Sequence, residues 1–267
     1  MNARRFNQSA ERMCMPEVPE ELFLKGIEQL VALEKDWIPT APETSLYIRP
    51  TMIAVDPVLG VKPSDHYYYY VIMSPVGAYY AAGFNPVNIL VEDHFVRAVQ
   101  GGTGEAKTGG NYASSLMAAQ VAKKKGFDQV LWLDGKERRY IEEVGAMNMF
   151  FAYGSTIVTA PLNGSILSGV TRDSVLKLAP TLGYQVEERQ IEVSELMADI
   201  RSGKVTEAFG SGTAAVITPV GKLCYKDECL QLTGGKVGEI TQRLYDTLTG
   251  IQTGRIADTF GWVKFVA

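Results

Sequence analysis

The sequence predicts an α/β protein in two parts, a small α+β domain over residues 1–80 followed by a larger mixed α/β domain over 89–267. Three observations lead there. Near the N-terminus, apolar residues recur at helical spacing and are followed by two runs rich in β-branched and aromatic residues. From about residue 89 onward, strand-like and helix-like stretches alternate. Between the two parts lies AAGFNPVN, 81–88, rich in small and turn-forming residues and expected to be a linker.

The elements follow in order. Over 19–37, Pro19 opens a helix, Glu20 and Glu21 occupy its first turn, and Phe23, Ile27, Leu30 and Val31 form one apolar face. SLYIRPTMIAV and HYYYYVIMSPVGAYY read as strands, the four tyrosines Tyr67–Tyr70 suiting a pleated surface. In the large domain, strand NILVEDHF leads through a glycine-rich loop to a helix over 112–125, stopped by Gly126. Strands QVLWLD, RRYIEEV, MNMFFAY and TIVTA follow, with turns at Asp134-Gly135 and Gly154-Ser155. Helix TRDSVLKLAPTLG, strand YQVEERQIE, helix SELMADIRSG, strand VTEAFGSGTAAVITPV and helix GEITQRLYDTLTGI complete the chain, and no internal repeat appears.

Composition removes several function classes. A net charge of −4 gives no footprint for nucleic acid, and the one basic run, Lys123-Lys124-Lys125, suits a helix C-terminus. Three cysteines, Cys14, Cys224 and Cys229, with no CxxC, predict neither a disulfide framework nor a structural zinc site. His66 and His94 lie far from them, so no metal is expected. No apolar run approaches the ~18 residues of a membrane helix, and MNARRFNQSAERM has no apolar core of a secretory signal. A reduced, soluble, cytoplasmic protein is expected.

The most informative stretch is GGTGEAKTGGNYASS, where Lys107 stands among five glycines. Two chemistries compete for such a lysine. Gly101–Thr108 fits the phosphate loop G-x-x-x-x-G-K-[ST] except that Ala106 replaces the second glycine, and VLWLD, ending in Asp134, follows like the strand of a nucleotide site. Against it, the alanine methyl stands where backbone must approach phosphate, and Gly109-Gly110 are poor helix openers. The second chemistry is a Schiff base: the amine attacks an aldehyde only when deprotonated, and glycines leave room for a flat ring. Taken alone, the stretch also fits a surface lysine on a flexible loop.

GGTGEAKTGGNYASS, YIEEVGAMNMF, GVTRDS and GSGTAA occur in this order, and together they resemble the branched-chain amino-acid aminotransferases, fold-type IV enzymes that use pyridoxal 5′-phosphate. SLYIRPTMIA, SPVGAYY and RFNQSAERMCMP resemble the family's small domain, so the likeness spans nearly the whole chain. It implies transamination between leucine, isoleucine or valine and 2-oxoglutarate by a homodimer, with amino acids and 2-oxo acids as its small-molecule partners. The neighbouring readings are another enzyme of the same fold, a D-amino-acid aminotransferase or aminodeoxychorismate lyase, and a truncated remnant that only dimerises.

The resemblance also implies site roles. Lys107 is the Schiff-base lysine, whose freed amine then moves a proton at the substrate. Glu143 stands beside the pyridine nitrogen and keeps it protonated, while Glu142, by strand alternation, faces the other way. Tyr112 hydrogen-bonds the ring oxygen. Val170 and Thr171, at a helix entrance, meet the phosphate, although Thr171 also suits a helix cap. Gly212, Thr213 and Ala214 form a turn with open amides, of which Thr213 and Ala214 bind the substrate carboxylate and Thr213 also approaches the phosphate. Tyr47 and Arg49 bind the distal carboxylate of glutamate, and Tyr79 and its neighbours line the side-chain pocket. Family members carry an upstream small-domain piece with a phosphate-gripping arginine; Arg4, Arg5 and Arg12 all fall after its place, so an N-terminally truncated small domain is expected.

Overall fold

The computed structural model describes residues 1–41, 43–77 and 83–266. The chain divides into two compact units, Met1–Ala81 with Val263–Ala267, and Ala82–Trp262. The last residues therefore group with the first unit, where the sequence pattern carries the large domain to 267; Lys264 forms an ion pair with Glu28.

The first unit opens with a helix that the sequence pattern does not announce, α1 (Asn2–Arg12). Its residues are mostly polar, and its anchoring is tertiary: Asn7 both donates to Val18 O at 2.9 Å and accepts from Val18 N at 3.0 Å. The expected second helix, α2, spans Glu20–Leu33, followed by a 3-10 turn at Lys35–Trp37. Strands β1 (Ser45–Ala54) and β2 (Tyr67–Val76) pair antiparallel, with Met52 opposite Tyr69. The run of tyrosines is split by strand alternation. Tyr69 packs with Phe6 and Phe23 at ring distances of 5.7 and 6.0 Å, whereas Tyr68 and Tyr70 are exposed. Tyr79 and Tyr80, and the start of the expected linker at 81–82, lie outside the described residues.

The second unit contains a nine-stranded mixed sheet. Strand β3 (Val87–Glu92) begins inside the stretch expected as linker. It pairs in parallel with β4 (Gln129–Leu133), which pairs antiparallel with β5 (Ile141–Val144), and β5 with β6 (Met147–Tyr153). β9 (Glu207–Gly212) pairs with β6 and with β10 (Val216–Tyr225), and β10 returns to β3. These six strands close on one another, which leaves no free edge among them. Strands β7 (Thr156–Thr159) and β8 (Gln185–Glu188) extend the sheet beyond β6, and β11 (Glu228–Gln231) extends it beyond β10. Phe150 and Phe209, opposite each other in the register, stack at 5.0 Å in the fully buried interior.

Among the described residues, four helices accompany the sheet: α3 (Gly109–Lys124), α4 (Val170–Thr181), α5 (Val193–Arg201) and α6 (Glu239–Gln252). Three features differ from the sequence expectation. The stretch VTEAFGSGTAAVITPV is two strands, β9 and β10, joined by a turn. Helix α3 does start on Gly109-Gly110, because the helix cost of a glycine, about 1 kcal/mol, is small beside tertiary packing; Ala118 and Ala122 are fully buried against Val130 and Trp132. Finally, Cys224 and Cys229 form a disulfide. The β10–β11 register sets them directly opposite, Cα to Cα 4.1 Å, a pairing that residue counts do not reveal.

The N-terminus of α6 is capped from a distance. The buried Glu207 carboxylate on β9 accepts from Ile240 N (2.9 Å), Thr241 N (2.9 Å) and Thr241 Oγ1 (2.7 Å). Gly238 makes room for it, since a Cβ there would lie 2.0 Å from Glu207 Cδ. Glu207→Ala is expected to destabilise the protein by about 1–3 kcal/mol, the cost of leaving buried donors unpaired. The check is the denaturant midpoint; an unchanged midpoint would mean that water replaces the carboxylate.

Candidate active site

The site grows from the hairpin β5–β6, whose turn is Gly145-Ala146. Glu142 and Glu143 are consecutive on β5 and point to opposite faces, as strand alternation requires. Both are buried, at 3% exposure each, so neither is a surface strand residue. Glu143 accepts from Leu167 N at 2.8 Å and from Asn148 Nδ2 at 3.4 Å, and its Oε2 lies 3.2 Å from Arg97 Nε, a charge contact rather than an aligned hydrogen bond. Burial raises the Glu143 pKa to about 7 against the opposing pull of the Arg97 charge. On the other face, Glu142 accepts from Ser165 Oγ and from Asn163 Nδ2 (3.2 Å).

A pocket opens beside Glu143. Its walls include Arg97, Ala106, Asn111, Tyr112, Ala146 and Leu167. Lys107 is exposed and reaches this wall through Tyr112: its Nζ donates to the Tyr112 hydroxyl at 2.8 Å. The spacing of five residues works because α3 begins between them. Asn111 pins the loop, its Nδ2 donating to Thr103 O and Ala106 O, both at 2.7 Å. The glycines of this loop differ in their surroundings. A Cβ on Gly104 would sit 2.2 Å from Ser165 O and 2.6 Å from Ala98 Cβ, so this glycine lets two backbone segments meet behind the pocket. Gly109 and Gly110 face open space, and Gly101 has a φ of +81°.

Val170 and Thr171 begin α4, three and four residues after the Leu167 amide that bonds Glu143. The cap residue is Gly169, so Thr171 lies inside the first turn and does not cap the helix. Gly169 is needed there because a Cβ would meet Asn148 Oδ1 at 2.1 Å. A glycine cap supplies no side-chain acceptor of its own, and the helix start presents amides and the positive end of the dipole. Arg172 points elsewhere, donating to Ala160 O at 2.9 Å and pairing with Glu188.

Register brings the other predicted turn to the same end of the sheet. Glu143 pairs with Asn148, and Asn148 with Ser211, so β5 and β9 run side by side across β6 in one direction. The turn Thr213–Ala215 therefore lies next to the Gly145-Ala146 turn, and a Cβ on Gly212 would lie 3.1 Å from Met147 Cγ. Thr213 and Ala214 are exposed. In the small unit, Tyr47 and Arg49 share one face of β1, two residues apart; Arg49 Nη2 donates to Tyr47 OH at 3.4 Å.

The nucleotide reading of the glycine loop loses its acidic partner. Asp134 already accepts backbone hydrogen bonds from Lys136, Glu137, Arg139 and Tyr140. Although burial opposes it, these amides hold its pKa below the usual carboxylate range, and they occupy the oxygens a metal would need. Among the described residues, no group of three or more histidine, cysteine or acidic side chains is placed to hold a metal. Sequence reasoning missed Arg97, Asn148 and Ser165. Asn148 stands within a motif already singled out, while nothing local marks Arg97, which β3 and the loop after it deliver to Glu143.

Comparison with known proteins follows the same line. Residues 2–223 match the family described as Amino-transferase class IV. The chain is 58% identical over 266 residues to branched-chain-amino-acid aminotransferase 2 of Bacillus subtilis (strain 168), covering 100% of this chain and 73% of that protein. It is 51% identical to the branched-chain-amino-acid aminotransferase of Mycolicibacterium smegmatis, covering 98% and 73%. Among solved structures, Escherichia coli branched-chain amino acid aminotransferase superposes with a TM-score of 0.80 at 29% identity, covering 99% of this chain and 81% of that one. The branched-chain amino acid aminotransferase of T.th., solved with pyridoxamine 5′-phosphate, gives 0.83 at 28%, covering 99% and 82%.

Proposed function

The chain belongs to the class IV aminotransferases, and on that footing we propose that it transfers amino groups between leucine, isoleucine or valine and 2-oxoglutarate. Its cofactor is pyridoxal 5′-phosphate. The observation that carries this reading is the pocket that holds Glu143 as a buried carboxylate beside the Lys107–Tyr112 pair. The residues present suit the cofactor's three chemical ends: an amine for its aldehyde, a carboxylate for its ring nitrogen, and a glycine-capped helix start for its phosphate.

When bound, the cofactor supplies an aldehyde that accepts the amino group and a ring that spreads negative charge from the substrate Cα. The protein's part is positioning and proton handling. Lys107 Nζ takes the proton from the substrate Cα, and the Tyr112 hydroxyl, 2.8 Å away, orients that amine; the same hydroxyl would hold the cofactor's ring oxygen. Glu143 holds a proton at the ring nitrogen. The amides of Val170 and Thr171 bind the phosphate, with Thr213 contributing from the neighbouring turn. Thr213 and Ala214 bind the substrate carboxylate. Tyr47 and Arg49 bind the second carboxylate of glutamate: a guanidinium and a phenol satisfy that anion and still leave an apolar chain room. A homodimer in the cytoplasm completes the reading; the exposed Tyr68, Tyr70 and Ile72 of β2 supply apolar surface for a second copy.

Steady-state kinetics with leucine and 2-oxoglutarate tests the function, and turnover is expected. No turnover of any branched-chain substrate by the cofactor-loaded protein would move it to another activity of the fold. Arg49→Ala is expected to raise KM for glutamate and 2-oxoglutarate by about tenfold or more, the worth of a charged hydrogen bond, with a smaller change for leucine. Equal losses on both substrates would remove Arg49 from this role.

A further inference from the structure

Behind Glu143 lies a chain of buried polar groups that substrate and cofactor binding do not account for. Arg97 is 8% exposed and sits in the loop after β3. Its Nε faces Glu143 Oε2 at 3.2 Å while its Nη2 donates to Ser165 O. The Ser165 hydroxyl, fully buried, donates to Glu142 Oε1. Ser165 is also clasped from the other side, where Gly104 packs directly on its carbonyl. The two adjacent glutamates of β5 are thus joined through one chain of contacts: Glu143 to Arg97, Arg97 to Ser165, and Ser165 to Glu142.

We propose that Arg97 is a positioning residue that keeps Glu143 in its ionised form, and that Glu142, through Ser165, holds Arg97 in place for that task. The reason is electrostatic. A carboxylate buried as deeply as Glu143 tends to take up a proton, and a protonated carboxyl cannot stabilise a protonated ring nitrogen. Its two neutral donors, Leu167 N and Asn148 Nδ2, hydrogen-bond it without supplying charge. The charged groups whose fields reach Glu143 are Arg97 from the loop after β3, Lys107 from the glycine loop, and Glu142 on the opposite face of its own strand. Lys107 is committed to chemistry, and Glu142 is a like charge that opposes ionisation. Arg97 is the buried cation left for the purpose, and the Ser165 carbonyl anchors its fork, with Nε 3.2 Å from the carboxylate. Burial still outweighs Arg97, so the Glu143 pKa stays raised, at about 7, and the loss of Arg97 would push it higher.

This inference rests on the reading of Glu143 as the partner of the ring nitrogen, but the ion pair can be read without cofactor. The experiment is a 13C NMR titration of side-chain-labelled glutamate in the cofactor-free protein, with the Glu143 resonance assigned from Glu143→Gln. Arg97→Gln, which loses the charge but can still donate to Ser165, is expected to raise the Glu143 midpoint by about 1–3 pH units, the usual effect of a neighbouring opposite charge. Arg97→Lys is expected to return it toward the wild-type value. A folded Arg97→Gln protein with an unchanged midpoint would overturn the proposal. Should that variant fail to fold, Ser165→Ala carries the test: it keeps the guanidinium and releases Glu142, so a smaller upward shift is expected and an unchanged midpoint overturns the chain. A protein that shows these shifts yet turns over no amino acid would overturn the functional reading alone.

Discussion

Lys107→Ala is expected to lower transamination by about 10⁴-fold or more, and with it the absorption band of lysine-bound cofactor. General acid–base catalysis alone is worth about 10²–10⁴-fold, and this residue is assigned the covalent attachment as well. The loss will be chemical rather than structural. Lys107 is exposed and donates to Tyr112 at the pocket wall, so truncation leaves the buried framework of Glu143, Asn111 and Gly104 intact. Thermal unfolding of the cofactor-free variant should match the wild type. Borohydride reduction of the loaded wild-type protein followed by peptide mass spectrometry checks the assignment, and a label on any other lysine would refute it.

Glu143→Gln is expected to reduce kcat by about 10²–10³-fold with cofactor still bound, the scale of losing one preorganised electrostatic partner. Glutamine preserves the acceptor for Leu167 N and the volume of the side chain, so the loop before α4 should stay in place. What is removed is the charge at the ring nitrogen, and Arg97 is left without its carboxylate. Glu142→Gln is the control. Strand alternation keeps its side chain away from the ring nitrogen, and it acts on Glu143 only through Ser165 and Arg97, so its expected effect on kcat is smaller. Because Glu142 is buried and bonds Ser165, the substitution should show instead as lower stability. Single-turnover absorbance measurements on both variants separate the two. Equal losses in kcat would remove the distinction that strand alternation draws between these neighbours.

Elements whose signals are local can be read from the amino acids alone. Helix α2 announces itself through Pro19, two acidic residues and an apolar face, and strand alternation assigns Glu142 and Glu143 to opposite sides before any coordinates. The ordered motifs around Lys107, Glu143, Val170 and Thr213 identify the family, because each motif encodes a backbone feature that only a few residue types satisfy. Other features exist only once the chain has packed. The polar helix α1 forms because Asn7 bonds Val18 and Phe6 packs on Phe23, contacts with no local period. Gly109-Gly110 open α3 because packing outweighs propensity. Cys224 meets Cys229 only through the β10–β11 register. Arg97 reaches Glu143, and Ser165 reaches Glu142, across 46 and 23 positions of sequence respectively (143 less 97, 165 less 142). A side chain whose role depends on a partner delivered by another strand leaves no mark in its own neighbourhood, since burial and charge pairing are properties of the assembled fold.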